Sequence, residues 1–371
     1  MAELNPYDTA MNPGNRVRSL TSYRLLGRTG LRVSPIAFGA GTFGSAWGKD
    51  WSSGEKEARQ ILERYIDAGG NFLDTADVYQ NGKSEVWVGR FVKEMKVREL
   101  VVLSSKGTQS TRPGDPNAGG NGRKHILEAV DASLQRFGTD YLDLYMMHHW
   151  DTVTPVEEVV STLNNLVSQG KIRHYGFSNS PAWYLARACT LAECKDYERP
   201  AAIQNEYSLI VRDAEYEYVE ACKHLGVALN AWSPLANGLL SGKYRPDGKG
   251  GISGEGRLTK TWVTDPGVDP LAERSVNIVN QLISIAEETG HTPSQIALNW
   301  LIRHTTVTSA VIGARTIKQL NENLLALEFE LDNKHVDLLN HASSIPDMTP
   351  YSFHKGAVQS MIHQGVSVTR R

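Results

Sequence analysis

The residues best able to do chemistry stand at the ends of three short apolar runs. Asn71-Phe72-Leu73-Asp74 ends in a carboxylate, and Tyr79 follows five residues later. Leu100-Val101-Val102-Leu103-Ser104-Ser105 leads into Lys106, and Leu142-Asp143-Leu144-Tyr145-Met146-Met147 leads into His148. A carboxylate, a phenol, an ammonium and an imidazole are the parts of a proton-transfer site. Such a set suits reduction of a carbonyl by hydride, because the developing alkoxide needs a proton and a cationic neighbourhood. A free tyrosine, with a pKa of about 10, is a poor acid at neutral pH. A nearby ammonium stabilises the phenolate and lowers that pKa. Lys106 would do this to Tyr79, Asp74 would keep Lys106 charged and oriented, and His148 would hydrogen-bond the substrate oxygen. Proton transfer positioned in this way is worth roughly 10²–10⁴-fold in rate.

These groups need a scaffold that gathers strand ends. The dominant rhythm of the chain is helix, glycine, strand. The stripe Ile61, Leu62, Tyr65, Ile66 is stopped by Gly69-Gly70 before Asn71–Asp74; Ile126, Leu127, Val130, Leu134, Phe137 is stopped by Gly138 before Leu142–Met147. Glycine accepts the left-handed conformation that closes a helix. Thr154-Pro155-Val156-Glu157 and Thr292-Pro293-Ser294-Gln295 look like capped helix starts, with Ser180-Pro181 a similar one. Helices alternating with short apolar strands predict a parallel sheet covered by helices. Eight strands are expected near residues 36–38, 71–74, 100–104, 143–147, 174–177, 202–205, 228–231 and 310–312. That number suits a (β/α)8 TIM barrel, in which chemistry collects at the C-terminal ends of the strands. Tyr23–Leu26 and Leu31–Ser34 are expected to form a β-hairpin capping the barrel bottom. The irregular segments Thr108–Gly122 and Ala236–Pro270 are expected as long loops over the C-terminal face, where they would select substrate. The expected domains are an N-terminal extension at 1–22, the barrel at 23–344 and a C-terminal tail at 345–371.

Composition excludes several classes. The 371 residues are 40% hydrophobic and 22% charged, an ordinary globular balance. A net charge of −2 argues against nucleic acid as the main partner. No apolar run approaches the roughly 18 residues of a membrane span. The cysteines, Cys189, Cys194 and Cys222, form no CxxC pair, so reduced thiols and a cytoplasmic setting are expected. No cluster suggests a metal, and no pattern speaks to oligomeric state. Gly39-Ala40-Gly41-Thr42-Phe43-Gly44 matches GxGxxG, but that fingerprint must open a helix. Here the helix is expected only after Ser52, with Glu55 in its cap, so a Rossmann site is disfavoured.

Several separated motifs, in order, resemble the aldo-keto reductase family, on its aryl-alcohol-dehydrogenase and channel-β-subunit side. They are Leu73-Asp74-Thr75-Ala76 with Tyr79, Ser105-Lys106, Leu144-Tyr145-Met146-Met147-His148, Gly176-Phe177-Ser178-Asn179, Gln204-Asn205-Glu206-Tyr207, Trp232-Ser233-Pro234-Leu235 and Gly313-Ala314-Arg315. The resemblance covers about Tyr23 to Leu331. It implies an NADPH-dependent reductase of a small-molecule carbonyl, with Asp74, Tyr79, Lys106 and His148 as its catalytic tetrad and Tyr79 as the acid. The position after Leu-Tyr and two apolar residues selects His148; its neighbour His149 would then point to the helices or loop, since successive strand residues face opposite ways. Ser178, Asn179 and Gln204 would bind the nicotinamide carboxamide, and Trp232 would stack on its ring. Gly41 and Thr42 would lie beside the same end of the cofactor. Ser233, Pro234, Leu235, Gly238 and Lys243, with Arg257 a weaker candidate, would follow the pyrophosphate. Arg315 would take the 2′-phosphate and Gln319 and Asn323 would line the adenine, with Gly313 and Glu322 also binding the cofactor. The resemblance also implies a rival, an NADPH-binding regulatory subunit with little turnover.

Overall fold

The computed structural model describes residues 17–48, 52–260, 267–304, 306–354 and 356–366. Most of the expected N-terminal extension, the last five residues of the tail and the Arg257 side chain lie outside this set.

The hairpin pairs β1 (Arg24–Leu25) with β2 (Arg32–Val33), antiparallel. The barrel strands are β3 (Ile36–Gly39), β4 (Phe72–Asp74), β5 (Val102–Gly107), β6 (Leu142–Met147), β7 (Ile172–Ser178), β8 (Ala202–Glu206) and β9 (Ala228–Trp232). A small antiparallel pair, β10 (Arg245–Pro246) and β11 (Ile252–Ser253), interrupts the loop after β9, and β12 (Val307–Ile312) closes the barrel. All eight pairings in the ring are parallel, and β12 lies between β9 and β3. This is the (β/α)8 barrel expected, and each expected strand is present.

The crossovers are α1 (Glu55–Asp67), α2 (Lys83–Met95), α3 (Arg123–Phe137), α4 (Val156–Ser168), α5 (Ala182–Cys194) and α6 (Tyr218–Leu225). After β9 come a single turn, α7 (Arg257–Lys260), then α8 (Glu273–Thr289) and α9 (Pro293–Arg303), which leads into β12. Beyond β12 lie α10 (Ile317–Leu324), α11 (Asn333–Ala342) and, in the tail, α12 (Gly356–His363). The Thr292 start is a full capping box, its hydroxyl accepting from the Gln295 N–H. The Thr154 start is different: α4 begins at Val156 without a side-chain cap, because the Thr154 hydroxyl donates to Asp151 instead. Likewise α1 starts from Gly54 with no side-chain cap, not from a Ser52–Glu55 pair.

Strand periodicity sorts the core into two layers. Ile36, Phe38, Leu73, Leu103, Tyr145, Met147, Phe177, Ile203 and Leu229 pack outward against the helices. Ala37, Phe72, Val102, Leu144, Met146, Ala202 and Ala228 fill the lower barrel interior, where Leu26 and Val33 of the hairpin seal it. The Arg24 guanidinium completes that seal by donating to the carbonyls of Ile302, Val307 and Thr308. The inward series continues upward in steps of two. Phe72 is followed by Asp74, Val102 by Ser104 and Lys106, Met146 by His148, and Ala202 by Gln204. The same alternation that fills the lower barrel with hydrocarbon therefore delivers polar groups to its upper mouth.

Candidate active site

At the mouth, Lys106 is wholly buried and donates to Asp74 Oδ2 at 2.5 Å and to the Thr75 carbonyl at 2.8 Å. Its Nζ lies 5.3 Å from the centre of the Tyr79 ring. Asp74 also accepts from Gln204 Nε2 at 3.0 Å and from the Ser104 hydroxyl at 3.3 Å. A carboxylate this deep is tolerable because it is paired and hydrogen-bonded on both oxygens. Burial pulls the Lys106 pKa down, but Asp74 and Tyr79 raise it further, so its net shift is upward and the ammonium persists.

Tyr79 opens a tight turn, Tyr79–Gly82, in which Gln80 and Asn81 both adopt left-handed backbone. Non-glycine residues held there mark a conformation imposed by their surroundings. Gln80 supplies the constraint: its Oε1 accepts from the N–H groups of Ala46 and Trp47, and its Nε2 donates to the Gly41 carbonyl. The first strand–helix loop is thereby tied to the Tyr79 turn, and Gly41 backs onto the Tyr79 ring. Nothing in the spacing of the motifs marked Gln80 for this role.

The Tyr79 hydroxyl lies 3.5 Å from His148 Nε2, and the two rings meet edge to face. The expected lowering of the Tyr79 pKa is not found. Burial pushes it up, the Lys106 ammonium opposes this without prevailing, and Asp74 and Asp77 add to the rise. Burial, Lys106 and His149 hold His148 well below the usual imidazole range, so this ring is neutral.

His149 bonds Gln109 of the loop after β5, on the loop side where alternation would send it, but its ring also stays against the site. β6 ends at Met147, and the His148 N–H still bonds the Gly107 carbonyl as the ladder would, so alternation reaches His148 but not His149. The rings of His148 and His149 are stacked, 4.6 Å apart and 12° from parallel. Burial, and after it the Lys106 ammonium, lowers the pKa of both.

A second buried group also escaped the motif reading. Asp77 is 3% exposed, and neither carboxylate oxygen finds a hydrogen-bond partner among the described residues. Burial and the charge of Glu85 push its pKa from the ordinary 3.8 up to about 7. Glu85 itself is fully buried and held by Arg136 and Ser105. Gly107 passes close to Asp77 and Tyr145: a Cβ there would stand 2.3 Å from the Tyr145 hydroxyl and 3.1 Å from Asp77 Oδ2.

Ser178, Asn179 and Gln204 converge, though much of their capacity is used internally. The Ser178 hydroxyl donates to the Gln204 carbonyl, and Asn179 Nδ2 donates to the His148 carbonyl and to Ser178 Oγ. Asn179 Oδ1 accepts from Trp232 Nε1 at 3.0 Å, which fixes the half-buried indole beside this cluster. After Trp232 the chain folds through Ser233, Pro234 and Leu235, with left-handed backbone at Ser233, Ala236, Asn237 and Gly238. Lys243 is exposed on the same loop. At the end of the neighbouring strand β12, Gly313 is exposed, and Arg315 is half-buried just before the Thr316 cap of α10. Gln319 Oε1 accepts from the Arg315 N–H, so its side chain closes the turn and does not pair with Thr316. Asn323 is buried and Glu322 exposed on α10. Along one rim the fold thus sets an indole, a run of turned backbone and a helix N-terminus preceded by arginine. Thr42 contributes a buried hydroxyl without a hydrogen-bond partner among the described residues. Stacking surface, backbone cradle and phosphate-type helix end fit a dinucleotide.

Among the described residues, no group of three His, Cys, Asp or Glu side chains could hold a metal ion, and no helix is long and apolar enough to cross a membrane.

A closed barrel whose inward strand ends gather a paired lysine and aspartate, a tyrosine and a histidine defines an enzyme-like site of the oxidoreductase type. The family model described as "Aldo/keto reductase family" matches residues 35–344, and the chain belongs to that family. It is 34% identical over 333 residues to a putative voltage-gated potassium channel subunit beta of Schizosaccharomyces pombe, covering 88% of this chain and 94% of that one. It is 31% identical to a putative aryl-alcohol dehydrogenase of Saccharomyces cerevisiae, over 94% of this chain and 91% of the relative. With a norsolorinic acid reductase of Emericella nidulans the identity is 33%, over 88% and 83%.

Proposed function

We propose that this protein is an NADPH-dependent reductase of aldehydes or ketones, with Tyr79 as the proton donor. The observation that carries the reading is the position of the Lys106 ammonium, bonded to Asp74 and facing the Tyr79 ring, with His148 within reach of the phenol. When bound, the nicotinamide supplies hydride to the carbonyl carbon. The chain does the rest. Tyr79 gives its proton to the developing alkoxide, and Lys106 stabilises the phenolate left behind. The burial that raises the Tyr79 pKa keeps the phenol protonated until that moment. His148, neutral, hydrogen-bonds the substrate oxygen without competing for charge. Trp232 would hold one face of the nicotinamide, Ser178, Asn179 and Gln204 its carboxamide, and Arg315 the 2′-phosphate. The partner is a small carbonyl compound; aryl substrates are favoured by the names of the aryl-alcohol dehydrogenase relatives. A cytoplasmic location agrees with three free thiols in the described chain.

The test is multiple-turnover NADPH oxidation against a panel of aromatic aldehydes and keto-sugars. Sustained turnover that disappears in Tyr79→Phe supports the reading. A second reading, a regulatory subunit that retains NADPH, draws on the potassium-channel relatives. It predicts tight NADPH binding with less than one turnover per site across the same panel.

A further inference from the structure

The second histidine has no part in the chemistry just described, yet its ring lies against a member of the site. Its ring covers one face of His148, whose Nε2 reaches the Tyr79 hydroxyl. The His149 ring is half-buried, so part of it remains accessible beside the His148 ring on which it stacks. Its hydrogen-bond partner is Gln109, an exposed residue two positions beyond the end of β5, at 3.1 Å from Nε2.

Structural duties here are carried by other atoms. Asn121 Nδ2 donates to the His149 carbonyl, the Thr108 hydroxyl accepts from the His148 and His149 N–H groups, and Asp151 accepts from the N–H of Asn121. Those contacts use the backbone at 148–149 and would survive any side chain at 149. The imidazole and the Gln109 amide therefore form a polar pair that the loop does not need. Both present donors and acceptors, and an exposed amide can exchange its partner for a ligand oxygen at small cost. Burial and the Lys106 ammonium disfavour a charge on His149, which sets the preference toward uncharged groups.

We propose that His149 and Gln109 form a subsite beside the reacting carbonyl that recognises a second, neutral oxygen on the substrate, a hydroxyl or carbonyl group. This assignment rests on the carbonyl-reductase reading above. It makes the preferred substrate an oxygenated carbonyl compound, with the second oxygen outside the reach of Tyr79.

The test compares meta-hydroxybenzaldehyde with meta-methylbenzaldehyde, which have nearly the same size, at a pH where the phenol is un-ionised. One neutral hydrogen bond contributes roughly a three- to tenfold preference. The wild type should favour the hydroxyl compound by that factor in kcat/KM. His149→Phe, which keeps the stacked ring, and Gln109→Leu should each bring the ratio close to one, chiefly through KM. A wild-type ratio near one, or a wild-type preference that persists in both variants, overturns the subsite. Preference for meta-formylbenzoate over both compounds, lost in His149→Phe, overturns the neutral-oxygen assignment. If His149→Phe does not fold, Gln109→Leu, at an exposed position, carries the test. If the wild type reduces neither aldehyde, the reductase reading fails separately. The subsite is then decided by fluorescence titration of the NADP⁺-loaded protein with the two aldehydes. Tighter binding of the hydroxyl compound, lost in Gln109→Leu, upholds it, and equal affinities overturn it.

Discussion

The two ends of this barrel each hold a cation, half-buried at the bottom and wholly buried at the top, and they treat it in opposite ways. At the bottom, Arg24 is held by three backbone carbonyls, and burial with the nearby Arg303 lowers its pKa to about 10. No carboxylate touches it in those bonds, and apolar residues surround the hairpin above. At the top, Lys106 meets a carboxylate, a carbonyl and a phenol, and its pKa is raised. A guanidinium spread over carbonyls satisfies donors and closes a plug. An ammonium beside a carboxylate and a phenol couples two titrating groups, and that coupling is what proton transfer needs. Burial of a cation is therefore no sign of function; the chemistry of its partners is.

The comparison breaks most sharply at Tyr79. Tyr79→Phe deletes one proton and keeps the ring, so turnover should fall at least about 10²-fold while NADPH affinity stays near the wild-type value. Steady-state rates with a fluorescence titration of NADPH check both halves, and near-normal turnover would mean another acid.

The second contrast sets Lys106→Met against Arg24→Met. Removing one partner of the buried top pair leaves Asp74 uncompensated and should cost roughly 3–5 kcal/mol along with turnover. Arg24→Met should lower stability through its orphaned carbonyls, and the rate per folded molecule should not change. Urea unfolding paired with active-site-normalised rates distinguishes them. Loss of turnover in both variants would erase the functional difference between the two ends.

Asp77 sharpens the picture on the top side. Its folded pKa lies above the ordinary value, so the folded protein binds this proton more tightly than the unfolded chain does. Stability from this group consequently falls as pH climbs from 3.8 to about 7 and is level above that. The span corresponds to at most about 4 kcal/mol. Asp77→Asn should flatten the stability–pH curve in that window, measured by urea melts at stepped pH. An unchanged slope would mean that Asp77 is ionised in the folded protein.

The smallest effect concerns the cofactor rim. Arg315→Ala should weaken NADPH by roughly ten- to 150-fold, the worth of one charge-assisted hydrogen bond, and NADH much less. Equal weakening of both would assign Arg315 a structural part.

Much of the fold was legible because it rests on local rules. The strands were marked by short apolar runs, four of them after glycine-stopped helices, and the order of helix and strand left a parallel barrel as the natural closure. The three strand-end groups Asp74, Lys106 and His148 were legible for a related reason. A period of two carries the inward face from hydrocarbon to polar residues, so position along a strand predicts direction. The GxGxxG run was correctly set aside, since β3 is followed by loop up to Gly54 and not by an immediate helix.

What the amino-acid sequence determined by itself, then, was the architecture and the chemical types gathered at one end. Tertiary structure decided everything that depends on where a strand stops or on how burial balances charge. The His149 ring lies stacked on His148 while bonded to Gln109 of the neighbouring loop, an arrangement set by the chain beyond the end of β6 and not by alternation. Thr154 served Asp151 and left the helix start uncapped. The Tyr79 pKa went up, since desolvation summed over all neighbours outweighs one ammonium. Asp77 and Gln80, ordinary polar residues in a row of letters, acquired their roles from partners supplied by other elements of the chain. Such effects are sums over three-dimensional surroundings, and no spacing along the chain encodes them.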